Sequence, residues 1–327
     1  MAAASRCDAD MNPLSIVVCG ETFPSAQMLL RERLRGDQVC VWRDRKALPA
    51  FTAAADVLIP MMFQIDGMVM DHFRPRLIQQ WGSGLEGIDL EAARARGIEV
   101  CGVATTGSNA ESVAEHVVLL MLALLRELPA AQANIRAGIL GAPQGRMLAG
   151  RTVCLWGLGK IARAIARRLR AFDARLLGIT RNPDAERIAT FGLEACYSAT
   201  ERAACLRRTD VLVLCVRLND ETRGLVNGDV LAALPEGAYL VNAARGALVD
   251  YEALYLALCS GRLAGAGLDV FWEEPISPDD PLLKLPRTIA TPHVAGVTDR
   301  SYGEIAEAVV RNIERLRRRG TALDGEE

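Results

Sequence analysis

Three polar residues in the last third of the chain could together reduce a carbonyl acid. Arg245 stands in Asn242-Ala243-Ala244-Arg245-Gly246, Glu274 in Phe271-Trp272-Glu273-Glu274-Pro275, and His293 in Thr291-Pro292-His293-Val294. Hydride reduction of a 2-keto acid needs a cation for the carboxylate, a proton for the carbonyl oxygen, and a group that orients the proton donor. Imidazole titrates near neutrality, so His293 suits the acid/base role. A carboxylate at Glu274 would orient that ring and keep imidazolium available for reduction. Arg245 would bind the substrate carboxylate and carbonyl oxygen, stabilising the charge that develops there. Each residue alone has an ordinary structural explanation, such as a loop cation or a histidine packed beside proline. Their conjunction is what points to a site.

The chemistry also needs a hydride source, and a glycine turn upstream can hold one. Gly157-Leu158-Gly159-Lys160-Ile161-Ala162 lies between an apolar run and a helical pattern. Gly157 allows a tight turn, Gly159 allows the backbone to approach a pyrophosphate, and Ala162 lets helix and strand pack closely. A pyrophosphate then meets the free N–H groups of a helix N-terminus. The next strand of an NAD site usually ends near a carboxylate that binds the adenosine ribose. Here the segment reads Gly178-Ile179-Thr180-Arg181, with Thr180 in the acidic position. An arginine can grip a 2′-phosphate through a bidentate fork. The reading therefore favours NADP(H), with NAD(H) still open if Arg181 only covers adenine or points to water. Arg217, in Cys215-Val216-Arg217-Leu218, is a second candidate for the adenine or its phosphate.

Strand and helix patterns must position these residues. Short apolar runs at Ser15–Cys19, Val39–Trp42, Val57–Ile59, Leu77–Trp81 and Ile98–Cys101 alternate with helical patterns at Ser25–Leu34 and Leu90–Arg96. A second series follows the long apolar helix Asn109–Arg126, which is expected to stop near Pro129. It comprises strands at Arg151–Trp156, Leu176–Ile179, Val211–Val216, Tyr239–Asn242 and Gly265–Val270, with a helix at Ile161–Ala171. Tyr302–Arg319 is a final amphipathic helix. Such alternation predicts an α/β protein with two doubly wound parallel sheets. Asn109 or Ser108 is the expected N-cap of the long helix.

Composition excludes several classes. The 327 residues suggest about two domains. A net charge of −2 and the lack of long charge runs give no support for a nucleic-acid or membrane partner. Arg317-Arg318-Arg319 reads as a solvated helix end. Nine cysteines without a Cys-x-x-Cys spacing read as reduced thiols in a cytoplasmic protein, and Cys19, Cys101, Cys154 and Cys215 lie in apolar runs. Three histidines are too few for a histidine-rich metal site, so no metal is expected. His116 reads as packing, and His72 has no role. Met1–Asn12 is small and polar, reads as a floppy extension rather than a signal peptide, and leaves Met11 as an alternative start. The longest apolar run, Val117–Leu125, is too short to span a bilayer.

These motifs resemble the D-isomer-specific 2-hydroxyacid dehydrogenase family. The resemblance is densest over Trp81–Arg126, Arg151–Ala162 and Leu240–Gly296. It implies two Rossmann-like domains, with a dinucleotide domain (residues 106–295) inserted into a substrate domain (1–105 and 296–327). It implies that Asp269 lies near the nicotinamide carboxamide and ribose, and that Val216 and Ala243 border the cofactor. Ser83 and Gly84, in Gly82-Ser83-Gly84-Leu85, match a loop whose amides bind the substrate carboxylate. D stereochemistry and a homodimer through the long helix are further implications. Phosphoglycerate-oxidising relatives carry an arginine where this chain has Pro60-Met61-Met62-Phe63, an apolar wall that cannot pair a phosphate. With 327 residues the chain is also expected to leave no room for a C-terminal regulatory domain. Both features favour a small glyoxylate- or hydroxypyruvate-like acid, or a modest apolar 2-keto acid. A family tryptophan is replaced near Ile139 and Leu140. Two other readings share the fold: a dinucleotide-sensing corepressor-like scaffold, and phosphite oxidation.

Overall fold

The computed structural model describes residues 12–50 and 54–323. The extension expected over Met1–Asn12 therefore lies, apart from Asn12, outside the described residues. The chain divides into two compact units, one up to Thr106 and again from Asp299, the other Gly107–Thr298.

The first unit runs β1 (Ser15–Cys19), α1 (Pro24–Arg33), β2 (Gln38–Trp42), β3 (Val57–Ile59), α2 (Gly67–Phe73), β4 (Leu77–Gln79), α3 (Leu90–Ala95) and β5 (Glu99–Cys101). Its five strands are parallel, in the order β2-β1-β3-β4-β5. Ile16, Val17, Val18, Leu58, Ile59 and Ile78 are at most 1% exposed, as expected of strands covered on both faces.

The second unit opens with α4 (Gly107–Leu125) and α5 (Leu128–Arg136), then β6 (Thr152–Trp156), α6 (Lys160–Arg170), β7 (Arg175–Ile179), α7 (Ala185–Phe191), β8 (Ala195–Tyr197), α8 (Arg202–Leu206) and β9 (Val211–Leu214). It continues with α9 (Gly228–Ala233), β10 (Ala238–Asn242), α10 (Tyr251–Cys259), β11 (Leu263–Leu268) and β12 (Thr288–Ala290). The parallel order is β12-β11-β10-β9-β6-β7-β8. Strand order reverses between β6 and β9, the place where open sheets of this kind form a ligand crevice. Helix α11 (Asp299–Leu323) closes the chain in the first unit.

Several expectations need correction. Helix α4 begins at Gly107, so Ser108 and Asn109 lie in its first turn and are not its cap. Pro129 does not only end a helix; it sits in the first turn of α5, where its missing N–H costs nothing. The apolar run in α4 is part of a 19-residue helix that by length and composition could cross a membrane, yet 61% of its most apolar 18-residue window is buried inside the protein. In the apolar segment Met61-Met62-Phe63, Met61 is buried, Phe63 is half-buried and packs edge-on against Trp42 at 5.1 Å, and Met62 is exposed. Of the four cysteines, Cys19 and Cys154 are buried, and burial pushes both thiols well above their usual range. Cys215 is pushed up to about 12 for the same reason. Cys101 instead lies half-buried against Glu99 and Arg315.

Of the arginine triplet, Arg318 and Arg319 are exposed as a solvated helix end should be, and Arg317 is the exception. Arg317 Nη2 donates to both Asp37 carboxylate oxygens at 2.6 and 2.7 Å, and its side chain is 14% exposed against 3% for Asp37. Arg319 pairs with Glu99 at 3.0 Å. Breaking a buried pair strands a charge. Arg317→Met is therefore expected to lower unfolding free energy by about 3–5 kcal/mol in urea titration. A loss below about 1 kcal/mol would mean that Asp37 is satisfied by other donors.

Candidate active site

The glycine turn sits where β6 and β9 diverge. Gly157 has φ +100°, and a Cβ there would lie 2.7 Å from the backbone of Cys215, so only glycine fits. Its N–H bonds the Ile179 carbonyl at 2.8 Å. A Cβ at Gly159 would meet nothing within 4 Å, so packing does not require glycine here and backbone access for a ligand is a sufficient reason. Gly159 is the cap residue of α6, whose first residues are Lys160 and Ile161, and Ala162 is fully buried beneath it. Leu158 packs on the core with Ile161. These residues fit a dinucleotide diphosphate.

Thr180 follows β7, its N–H held by the Tyr197 carbonyl at 3.0 Å. Arg181 next to it pairs with Glu221 at 2.5 Å, both side chains being about three-quarters exposed. Glu221 belongs to a braced loop. The Thr222 hydroxyl donates to the Arg217 carbonyl at 2.7 Å, and Asn219 Oδ1 accepts from the Thr222 N–H at 3.0 Å. Val216 and Arg217 lie beyond β9, which ends at Leu214, two residues earlier than expected. Arg217 is exposed and Val216 half-buried.

Arg245 leaves β10 through a turn that Asn242 pins. Asn242 Nδ2 donates to the Arg245 carbonyl at 2.8 Å, and its Oδ1 accepts from the Ala244 N–H at 3.0 Å. Ala243 lies within this turn. A Cβ at Gly246 would fall 2.1 Å from the Phe271 backbone carbon, so glycine alone lets the Arg245 segment lie against the Glu274 segment. Glu274 Oε1 accepts from the Phe271 N–H at 2.9 Å, and Oε2 from His293 Nδ1 at 2.6 Å. Burial acts to raise the Glu274 pKa. The His293 hydrogen bond and charge, the Phe271 N–H and the Arg245 charge outweigh it and hold the carboxyl below its usual range. Glu274 is thus an acceptor at neutral pH, and His293 Nδ1 carries the proton.

His293 has φ +53°, the left-handed region that costs a residue with a Cβ. Asp269 secures it. The Asp269 carbonyl accepts from the His293 N–H at 2.8 Å. Its carboxylate accepts from the Val294 and Ala295 amides at 2.8 Å each and from the Thr291 hydroxyl at 2.6 Å. His116, expected only to pack, instead places Nε2 2.8 Å from Thr291 Oγ1. The structure therefore brings Arg245, Glu274, Asp269 and His293 together in one unit. Glu221, Asn242, Thr291 and His116 were missed or undervalued by sequence reasoning. Only Thr291 carried a signal, its adjacency to Pro292-His293.

Ser83 and Gly84 belong to the other unit. They follow β4, and the Gly82 carbonyl accepts from the Val103 N–H at 2.9 Å. Among the described residues, the Ser83 and Gly84 amides donate to no other backbone group. Gln80 ties this loop to its neighbour, donating to the Met61 carbonyl at 3.1 Å and accepting from the Trp81 N–H at 2.9 Å.

The second unit thus carries a glycine turn at the switch point of a parallel sheet and an imidazole–carboxylate pair beside an arginine. Comparison with known proteins supplies the family. Residues 118–295 match the D-isomer specific 2-hydroxyacid dehydrogenase, NAD binding domain. The chain is 37% identical to a glyoxylate reductase of Thermofilum pendens over 259 residues, 76% of this chain and 74% of that one. It is 36% identical over 286 residues to D-3-phosphoglycerate dehydrogenase of Mycobacterium tuberculosis, covering 84% of this chain; it spans about half (53%) of that relative's length. Among solved structures, an NADPH-dependent glyoxylate/hydroxypyruvate reductase from Sinorhizobium meliloti, in complex with NADP and malonate, superposes with a TM-score of 0.79 at 34% identity, covering 93% of each chain. The chain belongs to the D-isomer-specific 2-hydroxyacid dehydrogenase family.

Proposed function

We propose that this protein is an NADP(H)-preferring reductase of small 2-keto acids of the glyoxylate or hydroxypyruvate type, forming the D-2-hydroxy acid. The observation that carries the reading is the 2.6 Å His293–Glu274 pair, with Arg245 close enough that its charge lowers the Glu274 pKa. A bound nicotinamide dinucleotide would supply the hydride. Glu274 fixes His293 Nδ1–H, which leaves Nε2 to give its proton to the carbonyl oxygen. Arg245 holds the carboxylate and offsets the negative charge that grows on that oxygen. Ser83 and Gly84, in the first unit, form a glycine-rich loop whose amides suit an anion. Asp269, saturated by its own loop, supports the nicotinamide side mainly by shaping that loop.

The cofactor preference rests on Thr180 and Arg181 standing where an NAD site carries an acid. The Arg181–Glu221 pair is exposed and worth at most about 1 kcal/mol, so a 2′-phosphate can displace Glu221. Arg181→Ala is expected to cut the NADPH-over-NADH preference about tenfold, within the range of charged hydrogen bonds. Glu221→Gln is expected to raise it about two- to fivefold. Equal preference in all three proteins would remove the clamp. A homodimer is part of the proposal, since Leu119, Leu128, Ile135, Ile139, Leu140 and Met147 of the second unit are exposed. A reducing, cytoplasmic setting suits the eight free cysteines among the described residues.

The direct test is initial rates with NADPH and NADH against glyoxylate, hydroxypyruvate, pyruvate and 2-ketoisocaproate. Turnover favouring NADPH supports both halves of the proposal. Turnover favouring NADH keeps the reductase and ends the phosphate clamp. Inactivity on all four acids rejects the substrate class.

A further inference from the structure

Helix α4 reaches the His293 loop with three residues on one face. A Cβ on Gly296 would lie 2.8 Å from Asn109 Nδ2. Ser112 donates its hydroxyl to the Ala295 carbonyl at 2.7 Å. His116, four residues further on and so on the same face, meets Thr291 Oγ1 at 2.8 Å. The three contacts fall at both ends of the loop that carries His293.

The proton positions in this network follow from counting donors. Thr291 has one hydroxyl proton, and at 2.6 Å it is directed to Asp269 Oδ1. Toward His116 the hydroxyl can then only accept. His116 Nε2 must therefore carry a proton, and it also lies 3.4 Å from the same Asp269 oxygen. The chain of donation runs His116 to Thr291 to Asp269. The Asp269 carboxylate in turn takes the Val294 and Ala295 amides, and its carbonyl takes the His293 N–H. His293 stays in its left-handed backbone conformation because the residues on either side are held this way. His116 is 13% exposed at the side chain, so a substitute there cannot easily recruit bulk water to replace the donor.

We propose that His116 is a positioning residue: through Thr291 and Asp269 it fixes the backbone of His293 and thereby the direction of the imidazole. The proposal rests on His293 being the proton donor, but it can be read separately. The chain has three histidines, so the imidazole proton spectrum can be assigned with a His72→Gln variant and a His293→Ala variant. A short Nδ1–H to carboxylate bond gives a far-downfield, slowly exchanging resonance, and His293 makes one to Glu274.

The experiment compares the full-length protein with His116→Leu, which is close in bulk but has no donor, and His116→Gln, which restores an N–H at a similar reach. Expected for His116→Leu is a kcat about tenfold lower, since small misplacements of a reacting group have effects of this order or larger. The KM for the keto acid and the dinucleotide Kd should stay within about twofold, and the downfield His293 resonance should broaden or vanish. His116→Gln should recover most of kcat and the resonance. The proposal is overturned if His116→Leu keeps both, or if cofactor affinity, melting temperature and kcat fall together with no recovery in His116→Gln, which marks a purely structural role. Failure of the His293 reading looks different: His293→Ala then keeps turnover, while in the proteins that retain His293 the resonance still reports on the loop.

Discussion

His293→Ala is expected to lower kcat for 2-keto acid reduction by about 10²–10⁴ while leaving dinucleotide affinity within about twofold. The size follows from the role. Hydride arriving at the carbonyl carbon leaves an alkoxide, and without a positioned acid that charge must be met by water. Dinucleotide affinity is spared because Gly157, Gly159 and the start of α6 form a separate part of the unit. The same substitution has a pH signature in stability. In the wild type, His293 is the main influence that holds the half-buried Glu274 carboxyl below its usual range against the upward pull of burial. A carboxyl with a lowered folded-state pKa adds stability above its unfolded value, about 4.3, and loses it as pH falls through the folded value. The variant lacks much of this contribution. Thermal melts should therefore separate the two proteins at pH 7 and converge in acid, below about pH 4. Turnover within a few-fold of wild type would dismiss His293 as the acid; parallel melting curves at all pH values would dismiss the account of Glu274.

Why part of this was legible in the sequence and part was not has a physical reason. Long buried strands such as β6 and β10 announce themselves because all five positions are buried and four of the five are apolar, whichever face they serve. Strands β8 and β12 were passed over because they are three residues long and only half-buried or exposed, so neither apolar runs nor alternation could accumulate. The glycine turn was readable because Gly157 is imposed by local backbone conformation and by the approach of Cys215. Gly246 was seen only as the neighbour of Arg245, since its constraint comes from Phe271, which is distant in sequence. Arg317 misled for a similar reason: Asp37, which takes it out of solvent, sits almost the whole chain away. His116 shows the limit most clearly. A single histidine in an apolar helix carries no spacing signal, and its polar partner Thr291 is 175 residues away.

Arg245→Ala is expected to have the largest effect on kcat/KM, a loss of about 10³–10⁵, because it removes two interactions at once. One is a charge-assisted bond to the substrate carboxylate, worth about 1.5–3 kcal/mol. That bond is the same in the bound substrate and in the transition state, so its loss should appear in KM. The other is stabilisation of the developing oxyanion, where removing a single donor costs about 10²–10³ in kcat. The two kinetic constants should therefore both move, unlike His293→Ala, where kcat carries the change. The fold should tolerate the substitution. Arg245 is held at its backbone by Asn242, and the close approach to Phe271 belongs to Gly246. Arg245→Lys separates charge from geometry: an ammonium keeps the sign but not the planar fork that spans a carboxylate and a carbonyl oxygen. It should recover part of KM and little of kcat. Full recovery by lysine would mean that Arg245 contributes only a positive field. A change in KM alone in the alanine variant would assign the oxyanion to His293 by itself and leave Arg245 with substrate capture.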